Sequence, residues 1–160
     1  SGEAVHLVQR EGNNILYIYK IEAKVGTIRM VSHVGMAHPM YCSGVGKAIM
    51  ATLPEKEVKQ IWNESIIEKK TDKTITDIDE MMQVLEEVRK NGYALDDEEN
   101  EEGVRCIAAC LHGYSKEVKY AFSISGPVSR MTRERVEELA VDVKKVQEEL
   151  SRELGYYPQN

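Results

Sequence analysis

No stretch of this sequence approaches the ~20 consecutive apolar residues needed to cross a bilayer, and the N-terminus lacks a charged region followed by an apolar one, so neither a membrane span nor a secretory leader is expected. Basic charge is also scarce: 21 Lys and Arg stand against 27 Asp and Glu, a formal charge of −6. No run of Lys or Arg makes a stripe along one helix face. Affinity for nucleic acid comes mainly from neutralising phosphates, so this segment by itself is not expected to bind DNA. Cys42, Cys106 and Cys110 form neither an even disulfide framework nor a CxxC pair, which points to free thiols in a reducing cytoplasm. Internal repeats and low-complexity linkers are absent. What remains, 160 residues, is sized for one domain that buries roughly 70% of the surface its unfolded form exposes. Ser1 and Gly2 look like a vector remnant leading directly into a strand, so a fragment of a longer protein is expected.

Residues 3–10 and 14–21 alternate as strands around Glu11, Gly12 and Asn13, which predicts a hairpin. A third strand is expected over 27–33, before Pro39 breaks the pattern. Val45, Ala48, Ile49 and Leu53 share a face of a helix over about 43–53, and Pro54 opens a second helix with Val58, Ile61 and Trp62 inward. Ile78, Met81, Met82, Leu85 and Val88 mark a helix over about 77–91, with Thr76 or Asp77 as cap and Gly92 as stop. Strands are expected at 92–96, 103–111 and 117–125. The longest helix, 133–154, carries Val136, Leu139, Ala140, Val143, Val146, Leu150 and Leu154 on one stripe, with Gly155 past its end. Val141 lies off that stripe and leaves room for an oligomer seam. The layout is α+β, a mainly antiparallel sheet with helices on one or both faces.

Two segments carry the functional signal. HPMYCSGVGKAIMA (38–51) reads as a small-residue turn feeding a helix start, where free backbone N–H groups and the positive end of the helix dipole favour an anion. DDEENEEGVRCIAACL (96–111), followed by SISGP, supplies a carboxylate, a thiol and two hydroxyls. Strand parity sorts these side chains. If Ile107 and Leu111 share a face with Phe122 and Ile124, the slender Cys106, Ala108, Ser123 and Ser125 share the other. That face leaves room for a ligand, with the two hydroxyls ~7 Å apart. It also requires paired residue numbers to sum to an odd value, for example Cys106 opposite Ser123.

Other chemistries fit less well. GVGKA has Ala48 where a phosphate-binding loop needs Ser or Thr, and no third glycine completes a dinucleotide motif. Lys47 is expected to be a helix-face cation. One acid of the run DDEENEE is expected to face the pocket while the rest are solvated. Cys106 as a nucleophile lacks a neighbouring base, since His112 falls on the hairpin loop. Zinc at Cys106, Cys110 and His112 fails because the two cysteines stand ~13 Å apart along a strand. His6, His33 and His38 are scattered and read as loop or surface residues. Arg29, Arg105 and Arg130 could each meet an anion, although Arg105 lies close to acids that would pair with it.

Six segments in order, ILYIYKIE (15–22), TIRMVSHVG (27–35), HPMYCSGVGKAIMA, NGYALDDEENEEGVRCIAACL (91–111), SISGPVSRMT (123–132) and ELSRELG (149–155), resemble the C-terminal effector-binding domain of the IclR family of bacterial transcription regulators. The resemblance implies a GAF-like or profilin-like α+β domain with a mainly antiparallel sheet, preceded in the full regulator by a winged helix-turn-helix absent from this chain. It implies an effector pocket at the backbone of Gly44 and Val45 and the side chains of Asp96, Cys106, Ser123 and Ser125, with an apolar wall near Ile28 and Met30. No metal, cofactor or catalytic residue is implied. EEGVRCIA is most similar to the family branch governing pectin-derived sugar-acid catabolism, which implies a 2-oxo or sugar acid such as 2-keto-3-deoxygluconate. The expected function is therefore small-acid sensing by a repressor or activator that is a homodimer or homotetramer and meets DNA only through the missing domain. The rival readings are a small thiol-dependent hydrolase using Cys106 and a purely structural oligomerisation module.

Overall fold

In the computed structural model, which describes residues 1–26, 30–115 and 117–158, the first hairpin forms as its alternation dictates. β1 (Ala4–Glu11) and β2 (Asn14–Ile21) pair antiparallel, turning at Gly12, whose φ of +60° is a conformation glycine adopts readily. A bulge interrupts the pair: Leu7 stands opposite Tyr19 and Val8 opposite Tyr17, leaving Ile18 as the extra residue. Because of it, Tyr17 and Lys20 both lie on the face of β1 that carries His6 and Val8.

The third strand differs from expectation. Residues 30–33 form no strand, and 27–29 lie outside the described residues. The edge of β2 is taken instead by β3 (Ala37–Pro39), the segment where Pro39 was expected only to break the pattern. Two bonds lead into it, Gly35 N–H to the Tyr17 carbonyl at 2.8 Å and Tyr17 N–H to the Met36 carbonyl at 3.0 Å. At the edge of a sheet a proline removes no needed donor.

α1 (Gly44–Met50) is shorter than read but begins as expected: Ser43 caps it by accepting from Gly46 N–H. Every residue of α1 is buried. α2 (Glu55–Glu64) and α3 (Ile78–Asn91) follow, the latter capped by Asp77 rather than Thr76 and ended by Gly92 at φ +79°. The chain then forms β4 (Ala94–Asp97), β5 (Val104–Leu111), β6 (Tyr120–Pro127) and α4 (Arg133–Glu153).

All six strands join one antiparallel sheet in the order β3-β2-β1-β6-β5-β4. Its two faces bury different sets. Val8, Ile15, Ala108, Cys110 and Ala121 pack against α1, α2 and α3, while Ile107, Ala109, Leu111, Phe122 and Ile124 pack under Val136, Leu139 and Val143 of α4. As strand parity requires, β5 and β6 pair with residue numbers summing to an odd value. Their register, however, places Cys106 opposite Ser125 and Ala108 opposite Ser123, two residues from the example given above. β6 also starts at Tyr120, later than expected. The apolar stripe of α4 is buried only as far as Val143; Val146, Leu150 and Leu154 remain exposed, while Gln147 and the buried Ser151 hold this end of the helix to Cys110 and His112.

Candidate functional site

Two cross-strand rows build the floor of the site. Asp96, Cys106 and Ser125 stand side by side on β4, β5 and β6, and Ala108, Ser123 and His6 stand side by side on β5, β6 and β1. Slender side chains in both rows leave a hollow. Over it α1 descends until backbone meets sheet: a Cβ on Gly44 would lie 3.2 Å from the Cβ of Ala108. Gly46 is closer still, since a Cβ there would come within 2.3 Å of the Met40 carbonyl oxygen. Glycine at 44 therefore sets how near the helix start approaches the floor, and glycine at 46 lets the turn at Met40 pack against the helix.

The result is a cavity of about 440 Å³, within the range that takes a small metabolite. Gly44, Val45, Met30, Asp96, Cys106, Ser123 and Ser125, all expected at the site, line it together. Ile28 lies outside the described residues. The two serine hydroxyls are not ~7 Å apart as extended-strand spacing suggested. They lean together to 3.5 Å, sharing the Nδ1 of His6 at 3.5 Å and 3.4 Å.

His6 and His38 correct the reading of scattered surface histidines, for both are buried and both line the cavity. His6 sits edge-on to the Tyr17 ring and bonds Ser32 Oγ through Nε2 at 2.8 Å. His38 Nε2 lies 3.3 Å from Cys42 Sγ. The parity of β1 held the signal for His6, which shares a face with the buried Ala4 and Val8. Lys70 and Asn100 join from loops and had no periodic signal.

Lys47 is likewise not a solvated helix-face cation. It is 2% exposed and ion-paired to Glu99. The acidic run turns more than one carboxylate inward: Asp96 and Glu101 line the cavity, and Glu99 is buried beside them. Asp96 Oδ1 accepts from Glu99 N–H at 2.8 Å, and Glu99 accepts from Asp97 N–H at 3.0 Å. Burial pushes the Asp96 carboxyl up to about 7, Glu99 adds to the rise and Lys47 opposes it. Burial, then the Lys20 ammonium, lowers His6 to about 4. The Cys106 thiol is pushed well above its ordinary value, first by burial and then by Asp96.

The site can thus offer donors to an anion, from the first turn of α1 and the serine hydroxyls, beside a carboxyl that is poised to hold or release a proton near neutrality. Residues 1–152 match the family model of the bacterial transcriptional regulator IclR C-terminal domain. The chain belongs to this IclR family. The HTH-type transcriptional regulator KdgR of Escherichia coli strain K12 is 35% identical over 155 residues, covering 97% of this chain and 59% of KdgR. The crystal structure of Thermotoga maritima IclR matches with a TM-score of 0.91 at 39% identity, over 97% of this chain and 62% of that one. The C-terminal domain of E. coli KdgR matches with a TM-score of 0.86 at 33% identity, over 98% of this chain and 90% of that one. The α+β architecture is that of these IclR relatives. The chain thus spans about three fifths of the length of full-length KdgR.

Proposed function

We propose that the cavity binds a small organic acid, a 2-oxo or sugar acid such as 2-keto-3-deoxygluconate, and that the chain is the effector-sensing part of a transcription regulator. The observation that carries this reading is the meeting of the α1 first turn with the Asp96–Cys106–Ser125 row across one cavity. A ligand carboxylate takes hydrogen bonds from the N–H groups of Gly44 and Val45 and from the Ser123 and Ser125 hydroxyls. Asp96 meets a ligand hydroxyl or carbonyl, accepting when ionised and donating when protonated. Met30 supplies an apolar wall.

In this proposal the DNA contact belongs to a winged helix-turn-helix outside the chain, consistent with a net charge of −6 here. The whole regulator works as a homodimer or homotetramer, and the effector acts by preferring one quaternary arrangement. Calorimetry against a panel of 2-oxo and sugar acids tests the site. At least one acid should bind, and Asp96→Ala and Ser123→Ala should each weaken it by about tenfold, the loss of roughly one good hydrogen bond. Silence across the panel, or both variants binding like the parent chain, overturns the reading.

A further inference from the structure

The two serine hydroxyls have one hydrogen each, and a ligand carboxylate needs both. Within 3.5 Å of both oxygens stands one nitrogen, the Nδ1 of His6, and the opposite ring nitrogen is held by Ser32 Oγ at 2.8 Å. Resting on the proposed acid-binding reading of the cavity, we infer that His6 is a positioning residue which, as its Nδ1–H tautomer, commits both serine hydroxyls to the ligand and ties its arrival to Ser32.

Hydrogen counting carries the inference. If the ring hydrogen is on Nε2, it donates to the Ser32 oxygen and Nδ1 must accept, which turns one serine O–H away from the ligand. If it is on Nδ1, the ring donates to the serine oxygens, both O–H groups point onward to the carboxylate, and Nε2 accepts from the Ser32 O–H. An anionic ligand interacts better with the second arrangement and selects it. The ring holds a single hydrogen at neutral pH, since burial and Lys20 lower it to about 4. Lys20 also donates to the Ser32 carbonyl at 2.8 Å, and Met30 and Val31 next to Ser32 line the same cavity. The relay therefore ends on the segment that walls the ligand in.

Three variants test it in calorimetry with pyruvate and 2-keto-3-deoxygluconate as probes. His6→Asn can place an amide N–H where Nδ1 stands and should keep affinity within about threefold. His6→Gln places its amide at the Nε2 position, and His6→Leu offers no donor; each should lose about tenfold. A merely structural histidine does not distinguish Asn from Gln. Nitrogen-15 NMR of the unmutated chain with probe bound gives an independent readout that needs no variant to fold: Nδ1 should carry the hydrogen. An Nε2–H tautomer in the loaded protein, or equal affinities for all three variants, overturns the inference. If Asp96→Ala and Ser123→Ala weaken binding while the His6 variants do not, the acid-binding reading stands and the role of His6 falls. If the unmutated chain binds neither probe nor any other acid of the panel, both fall.

Discussion

Lys47 Nζ lies 2.6 Å and 2.7 Å from the two carboxylate oxygens of Glu99, and both side chains are buried beneath the cavity wall. The pair joins α1 to the loop after β4. Such a pair gains little over a well-packed apolar substitute, but losing one partner strands a charge. Lys47→Met should destabilise the fold by about 3–5 kcal/mol, and Lys47→Met with Glu99→Gln should cost clearly less than the two single changes added together. Urea denaturation of the full double-mutant cycle measures this; additive losses would remove the pair from the account.

Asp96 makes stability depend on pH with a definite sign. Its carboxyl has an ordinary value of 3.8 and is raised to about 7 in the fold, so between those values the native state holds the extra proton. Its contribution to stability falls as pH rises through that window. His6 and His38, each lowered from 6.5 to about 4, act in the opposite sense, contributing stability above 6.5 that is lost as pH falls towards 4. Asp96→Asn isolates the first effect. The variant should exceed the parent chain at pH 7.5 by on the order of 1–4 kcal/mol, with the gap closing by pH 4, as melting temperatures across that range would read.

The same carboxyl should make ligand binding proton-linked. An anion entering the cavity favours the neutral form of Asp96, in the same sense as Glu99 and opposed by Lys47. Affinity for a 2-oxo acid should fall by up to about tenfold per pH unit above 7, and calorimetry in buffers of different ionisation enthalpy should register proton uptake below one per site. Asp96→Asn should flatten the profile. A flat profile in the parent chain would contradict the placement of the acid beside Asp96.

Gly46→Ala should destabilise the protein by about 1–3 kcal/mol or more, although alanine is the better helix former by ~1 kcal/mol. The reason is the 2.3 Å approach to the Met40 carbonyl oxygen, which is backbone and cannot swing aside. Gly12→Ala serves as the contrast: nothing lies within 4 Å of its position, and only its φ of +60° resists, a cost of about 1 kcal/mol. Thermal unfolding of the two variants should rank them in that order.

Cys106 should react with iodoacetamide more slowly at pH 7.4 than a free cysteine does, because burial and Asp96 both hold its thiol protonated. Mass spectrometry of the labelled chain follows the rate. Enhanced labelling at Cys106 would revive the thiol-enzyme alternative.

Much of this architecture was readable from periodicity. α3 and α4 were recognisable because their apolar residues repeat at helical spacing, in α3 between a capping side chain and Gly92 and in α4 up to Gly155. The facing of β5 and β6 was readable because parity is preserved under any even shift, which is also why the exact pairing of Cys106 was not: Ser123 and Ser125 satisfy parity equally. β3 escaped because three residues ending in proline carry no alternation. Lys47 and Glu99 escaped for a different reason. Each looks solvated in its own neighbourhood, and only their meeting across 52 positions makes burial tolerable for either. His6 was within reach, since its place between Ala4 and Val8 on β1 already assigned it to the inner face.

β1 pairs with β6 in the middle of the sheet, and His6 and Ser123 lie 117 positions apart. Closing so large a loop is entropically costly and slow compared with local folding. During synthesis the β1–β2 hairpin must therefore wait, the inner edge of β1 unpaired, until β6 has left the ribosome. The cavity, lined by His6 of β1 together with Ser123 and Ser125 of β6, comes into being only with that closure, so a nascent chain that has not yet released β6 has no such hollow.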